Sequence, residues 1–147
     1  MSAAHKPKRL TLLGRSEAKI PTSPDKATLE TFPNPARRDY RIMFETDDFT
    51  SLCPITGQAD FARIEIDYVP DRVCVESKSL KFYLAAYRNV RAFNEAVTNR
   101  ILDDFVQACA PRHAVVTAQF SARGGLALTV RAEHPASKPR RSGRNGR

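Results

Sequence analysis

Apolar and polar residues alternate strictly over residues 61–69, with Ala62, Ile64, Ile66 and Tyr68 on one side and Arg63, Glu65 and Asp67 on the other. Successive side chains of a strand point to opposite faces, so this period of two predicts a strand buried on one side. Residues 39–46 alternate in the same way, Tyr40, Ile42 and Phe44 against Arg41, Met43 and Glu45, and predict a second half-buried strand. Pro70-Asp71 turns the chain into residues 72–76, a short extended piece carrying Val73 and Val75. At Ser77 the period changes: Leu80, Tyr83, Leu84 and Tyr87 recur at helical spacing, with Ser77 or Ser79 available as the cap. After a break at Asn89-Val90-Arg91, a second helix is predicted over residues 93–109. Its stripe is Val97, Ile101, Phe105 and Cys109, and it ends before Pro111. Residues 113–120 and 126–132 alternate again across Ser121-Ala122-Arg123-Gly124-Gly125, which predicts a hairpin with a glycine-bearing turn. The order ββααββ is satisfied by an antiparallel sheet with both helices on one face, the α+β class.

A chain of 147 residues is one domain by length, large enough to bury a core. Residues 1–37 place Gly14, Pro21, Pro24, Pro33 and Pro35 among polar residues and read as an extended N-terminal arm. Residues 38–133 form the folded domain, and residues 134–147 a basic tail. From Ser137 that tail runs Ser-Lys-Pro-Arg-Arg-Ser-Gly-Arg-Asn-Gly-Arg, with no apolar face to offset the entropy of ordering it. The formal charge of +8 invites a nucleic-acid partner, yet much of it sits at the chain ends. A basic end attracts phosphates without reading sequence, and salt weakens it. No apolar run reaches the length of a membrane span, so the expectation is a soluble, cytoplasmic protein. Cys53, Cys74 and Cys109 are odd in number and widely spaced, which suits neither a disulfide framework nor a Cys-x-x-Cys metal site.

Candidate chemistry centres on Leu-Cys-Pro-Ile-Thr-Gly-Gln-Ala-Asp, residues 52–60. A cysteine attacks as its thiolate, which an ordinary thiol with a pKa of about 8.5 supplies sparingly at neutral pH. Asp60, seven residues on in a glycine-containing loop, is placed to orient the thiol, take its proton or later donate one. The same two residues also fit a small buried hydrophobe beside a surface acid.

Adjoining stretches decide between these. Cys53-Pro-Ile-Thr-Gly-Gln-Ala-Asp60, Val75-Glu-Ser-Lys-Ser-Leu-Lys81, Phe93-Asn-Glu95 and Arg123-Gly-Gly125 together resemble the short, single-module nitrile reductases of the QueF family, over about residues 40–130. The resemblance implies a tunnelling fold, shared with GTP cyclohydrolase I, whose subunits join sheets into rings, here two stacked pentamers, with active sites at subunit boundaries. It implies NADPH-dependent reduction of 7-cyano-7-deazaguanine to 7-aminomethyl-7-deazaguanine in queuosine biosynthesis. Cys53 would form a covalent thioimide and Asp60 would donate protons, kept protonated by burial. Val75, Glu76, Ser77, Asn94 and Glu95 would bind the deazaguanine. There is no Gly-x-Gly-x-x-Gly after a strand, so a Rossmann site is not available. The resemblance instead puts NADPH on Ser77, Lys78, Lys81, Arg123 and Gly124. Where the family normally reads Phe-His-Glu, this chain has Phe93-Asn94-Glu95, and asparagine cannot carry a proton near neutral pH.

Two competing readings keep parts of this. A relative of the same fold could add an amine to the nitrile without a redox step, and a basic RNA-binding module could act through the tail. A zinc-dependent cyclohydrolase fits poorly, for want of Cys and His ligands.

Overall fold

Burying the alternating faces produces a four-stranded antiparallel sheet roofed by two helices, in a computed structural model that describes residues 10–11 and 19–136. The strands are β1 (Thr31–Pro33), β2 (Ile42–Leu52), β3 (Ala59–Val69), β4 (Val73–Val75), β5 (His113–Arg123) and β6 (Leu126–His134). The helices are α1 (Ser77–Ala85), continued by a 3-10 turn at Ala86–Asn89, and α2 (Asn94–Cys109). The main sheet has the order β2-β3-β5-β6, and β1 pairs with β4 in a separate two-stranded ribbon. The expected α+β class and ββααββ order hold for the main sheet and helices.

The core lies where the sequence pattern puts it. Ala62, Ile64, Ile66 and Tyr68 of β3 are all buried, as are Val97, Ile101, Phe105 and Cys109 of α2. Tyr68 meets Phe105 edge-on at 4.8 Å between ring centroids, joining sheet to helix. Full burial of a side chain such as Phe105 contributes on the order of 2–3 kcal/mol. The opposite face of the sheet is charged: Arg63 pairs with Glu45 at 3.1 Å and Asp47 at 2.8 Å, and His113 and Arg131 both reach Glu133.

Three expectations are corrected. The strand expected to stop at Thr46 continues to Leu52, because a bulge between Thr46 and Phe49 inserts one extra residue and flips the alternation. Phe49 and Ser51 thereby face the core, opposite Ala62 and Asp60 respectively. The cap of α1 is neither serine: the Glu76 carboxylate accepts from the N–H groups of Lys78 at 2.7 Å and Ser79 at 2.8 Å. The arm expected up to Arg37 is packed from residue 24, with a 3-10 turn at Pro24–Lys26 and strand β1. Its anchor is Glu30, whose N–H donates to Ser79 Oγ and whose carbonyl accepts from Glu76 N–H. Asp25 pairs with Arg100 of α2. The remainder of the arm and the tail from Ser137 lie outside the described residues, and β6 runs one residue past the domain end read at 133.

Candidate active site at the turn between β2 and β3

Cys53 follows β2 directly and sits in a turn closed on itself. Cys53 N–H donates to the Gln58 carbonyl at 2.8 Å, and Gly57 N–H donates back to the Cys53 carbonyl at 2.9 Å. Gly57 has φ +70°, a left-handed conformation that glycine adopts without strain. The turn is braced from the side: Leu52 N–H bonds the Val90 carbonyl and Ala92 N–H bonds the Leu52 carbonyl. That bridge sets the start of α2, with Asn94 and Glu95, next to the cysteine turn.

The hydroxyl of Thr56 and, after it, the backbone N–H groups of Thr56 and Ile55 favour charge on the half-buried Cys53 sulfur and bring its pKa down to about 7 against the opposing effects of burial and Asp60. Half the sulfur is therefore thiolate near neutrality. Cys109 shows the contrast: burial, with a smaller push from the neighbouring Cys74, raises it to about 12, so it stays an inert thiol.

Asp60, the second residue of β3, is nine-tenths buried. Its carboxylate pairs with Arg123 at 3.0 Å, and Arg123 also donates to the Ala59 carbonyl at 2.7 Å. Asp60, expected to be buried, shares that burial with a cationic partner. Arg123, expected on the cofactor, pairs with Asp60 in this chain, and Gly124 follows it in the hairpin turn.

The predicted residues fall into two groups. Cys53, Asp60, Arg123, Gly124, Asn94 and Glu95 share the end of the sheet where the β2–β3 and β5–β6 turns lie. Val75, Glu76, Ser77, Lys78 and Lys81 lie at the start of α1. Between them runs the helix from Ser77 to Asn89, on the order of 20 Å long by its rise. Ser77 and Lys81 border a cavity of about 340 Å³ between α1 and the edge strand β2, floored by Phe44, Phe49, Leu80 and Leu84. Both oxygens of Glu76 are engaged in capping, so the N–H groups of Lys78 and Ser79 are already bonded and are not open to a phosphate. Asn94 Oδ1 and Ser51 Oγ are buried and without a hydrogen-bond partner among the described residues.

A model of the family described as QueF-like protein matches residues 59–139. The chain is 56% identical over 116 residues to an NADPH-dependent 7-cyano-7-deazaguanine reductase of Nitrosospira multiformis, spanning 78% of this chain and 83% of that protein. The chain belongs to the QueF family. A second family member with the same description, from Syntrophus aciditrophicus, is 55% identical over 127 residues, 86% of either chain. The crystal structure of the archaeosine synthase QueF-Like in its apo form superposes with a TM-score of 0.61 at 21% identity, over 70% of this chain and 99% of that one. The QueF-family fold, a T-fold, is thus the fold of this chain.

Sequence reading of this QueF-family site missed Arg91. Its guanidinium lies against Gly57, where an added methyl would come within 2.8 Å of Nη2. No periodicity points to it, because the contact arises only when the turn folds back on the segment after α1.

Proposed function

We propose that this chain reduces the nitrile of 7-cyano-7-deazaguanine to the aminomethyl group, with NADPH as reductant, through a thioimide on Cys53. The reaction is a step of queuosine biosynthesis. The observation that carries the reading is a half-ionised Cys53 thiol in a donor-lined turn next to the buried Asp60, in a chain more than half identical to enzymes described as this reductase.

A nitrile carbon takes hydride poorly, and converting it to a thioimide divides the difficulty. The Cys53 sulfur bonds to the nitrile carbon, and one C≡N electron pair moves onto nitrogen, which needs a proton. Asp60 is the group placed to hand nitrogen that proton: a proton it holds as the thiolate attacks goes to nitrogen, and Asp60 regains one from solvent before the next turnover. Arg123 steadies the carboxylate between the two events. Bound NADPH supplies hydride, two equivalents per nitrile.

Glu95, exposed in the first turn of α2, is suited to accept two N–H groups of a guanine-like edge. The unpartnered Asn94 Oδ1 beside it is a further acceptor. For the cofactor, the cavity beside α1 fits one ring of a dinucleotide on its aromatic and aliphatic floor, with Lys81 at the rim for a phosphate and Ser77 as a hydroxyl partner. Lys78 completes that set. The separation of this group from Cys53 within one chain supports a site assembled from two copies, the substrate edge of one facing the cofactor groove of another. A homo-oligomer of stacked rings is the assembly we infer. The three free thiols suit the reducing cytoplasm, and catalysis needs no nucleic acid.

Intact-protein mass spectrometry with the nitrile tests this. Wild-type protein should gain the whole ligand mass, Cys53→Ala should gain none, and added NADPH should discharge the adduct with two equivalents consumed. Adduct formation should climb through about pH 7 and level off above it, since the thiolate is the attacking form. An adduct that NADPH leaves untouched would favour the amine-adding reading, and no adduct at all would sink the chemistry. Removal of residues 137–147 should leave turnover intact, whereas an RNA module acting through its tail would lose its function.

A further inference from the structure

Helix α1 has two working sides. Ser77, Leu80, Lys81 and Leu84 border the cavity against β2. Ser79 and Tyr83 meet the N-terminal arm instead: Tyr83 borders a second groove together with Pro24, Ala27 and Leu29, and Ser79 bonds Glu30. Ser79 is wholly buried, and its hydroxyl is used both ways. Oγ accepts from Glu30 N–H at 2.9 Å and donates to the Glu76 carbonyl at 2.8 Å. Glu76 N–H returns a bond to the Glu30 carbonyl at 2.8 Å, which closes a ring of hydrogen bonds between arm and helix. The ribbon extends that ring, since Thr31 of β1 pairs with Val75 of β4. The arm thus grips the first turn of α1, yet among the described residues none of the arm lines the cavity.

We propose that Ser79 is a positioning residue for the cofactor: its bonds to Glu30 and Glu76 tie α1 to the arm and so hold Ser77 and Lys81 at a fixed distance from β2, ready for NADPH. The floor of the cavity supplies the physical reason. Phe44, Phe49, Leu80 and Leu84 are apolar, and a gap between such groups forgoes dispersion contacts that closure would restore. An attachment of α1 outside the cavity opposes that closure. A groove held open in advance spares the ligand the cost of opening it, which appears as affinity. The role in cofactor binding rests on the reading that NADPH occupies this cavity; the tie of arm to helix does not.

Two measurements on the full chain test the role. Ser79→Ala should raise the KM for NADPH, and its Kd by fluorescence titration, about tenfold, the size expected for one buried hydrogen bond. Its kcat at saturating NADPH should stay close to that of wild type. A serine that served stability alone would behave differently, because losing folded enzyme lowers kcat and leaves KM unchanged. The second measurement needs no variant. NADPH added to wild-type protein should slow amide hydrogen exchange in residues 27–33, although they lie outside the cavity, because a ligand that favours the tied arrangement must in turn stabilise the tie. An unchanged KM in Ser79→Ala, or exchange in residues 27–33 that ignores bound NADPH, would overturn the proposal and leave the reductase reading standing. Wild-type protein that neither binds nor oxidises NADPH would overturn that reading and the positioning role together, and faster exchange of residues 27–33 in Ser79→Ala would then still report the tie.

Discussion

At the scale of single residues, reactivity follows from surroundings rather than residue type. Cys53 and Cys109 are chemically identical, but one lies among three donors and the other among side chains that cannot solvate charge. Gly57 is the backbone condition for the first environment, since its left-handed φ turns the N–H groups of the loop inward. Gly57→Ala should destabilise by about 1 kcal/mol in urea unfolding through that φ alone, and should slow Cys53 alkylation. The methyl would also press on Arg91, but a guanidinium at the end of a flexible side chain swings away at little cost. The double variant Gly57→Ala, Arg91→Ala should therefore recover only a minor part of the loss. Full recovery would mean that crowding against Arg91, not backbone strain, governs the turn. The spacing of Cys53 and Asp60 was legible in the sequence because one turn contains both. The ion pair of Asp60 with Arg123 was not, because sixty-odd residues and two helices intervene and only the register of β3 with β5 brings them together.

At the scale of elements, the long periodic runs were legible and their ends were not. Alternation in β3 and the helical stripe of α2 are local properties, so they survive reading in isolation. The last turn of β2 was hidden by its bulge, where Asp47 and Asp48 break the period, and the ribbon of β1 with β4 was hidden because a three-residue strand has no period to show. The cap of α1 was misread because two serines are the commoner capping choice, whereas here a glutamate bonds two first-turn N–H groups at once. Glu76 is 5% exposed and each of its bonds is charge-assisted. Glu76→Ala should lower the unfolding free energy by about 2 kcal/mol. Glu76→Gln should lose roughly half of that, keeping one acceptor. Urea midpoints of the two variants check the ranking. If neither variant moves the midpoint, α1 is held by its packing alone and the glutamate is free for ligand.

At the scale of the whole molecule, the arrangement raises a question of assembly that no single residue answers. Cys53, Asp60 and the start of α2 sit at one end of the helix run from Ser77 to Asn89, and Ser77, Lys78 and Lys81 at the other. That run is on the order of 20 Å long by its rise. The apolar side chains exposed around the cysteine end, Ile55, Phe61, Phe93 and Leu126, are between 59% and 77% exposed, as expected of a surface that another copy covers. Mixed assemblies decide the matter. Cys53→Ala removes the nucleophile and Lys81→Glu repels cofactor phosphate, so each variant alone should be inactive. Suppose each site takes its cysteine from one copy and its lysine from a neighbour. Unfolding the two variants together in equal amounts and refolding them then places intact partners at about a quarter of the interfaces, with activity to match. If one chain supplied both groups, no site in the mixture would be whole and activity would stay at zero. Mixing without unfolding serves as the control: recovery that appears only after refolding, or slowly over subunit exchange, ties the regained turnover to shared interfaces.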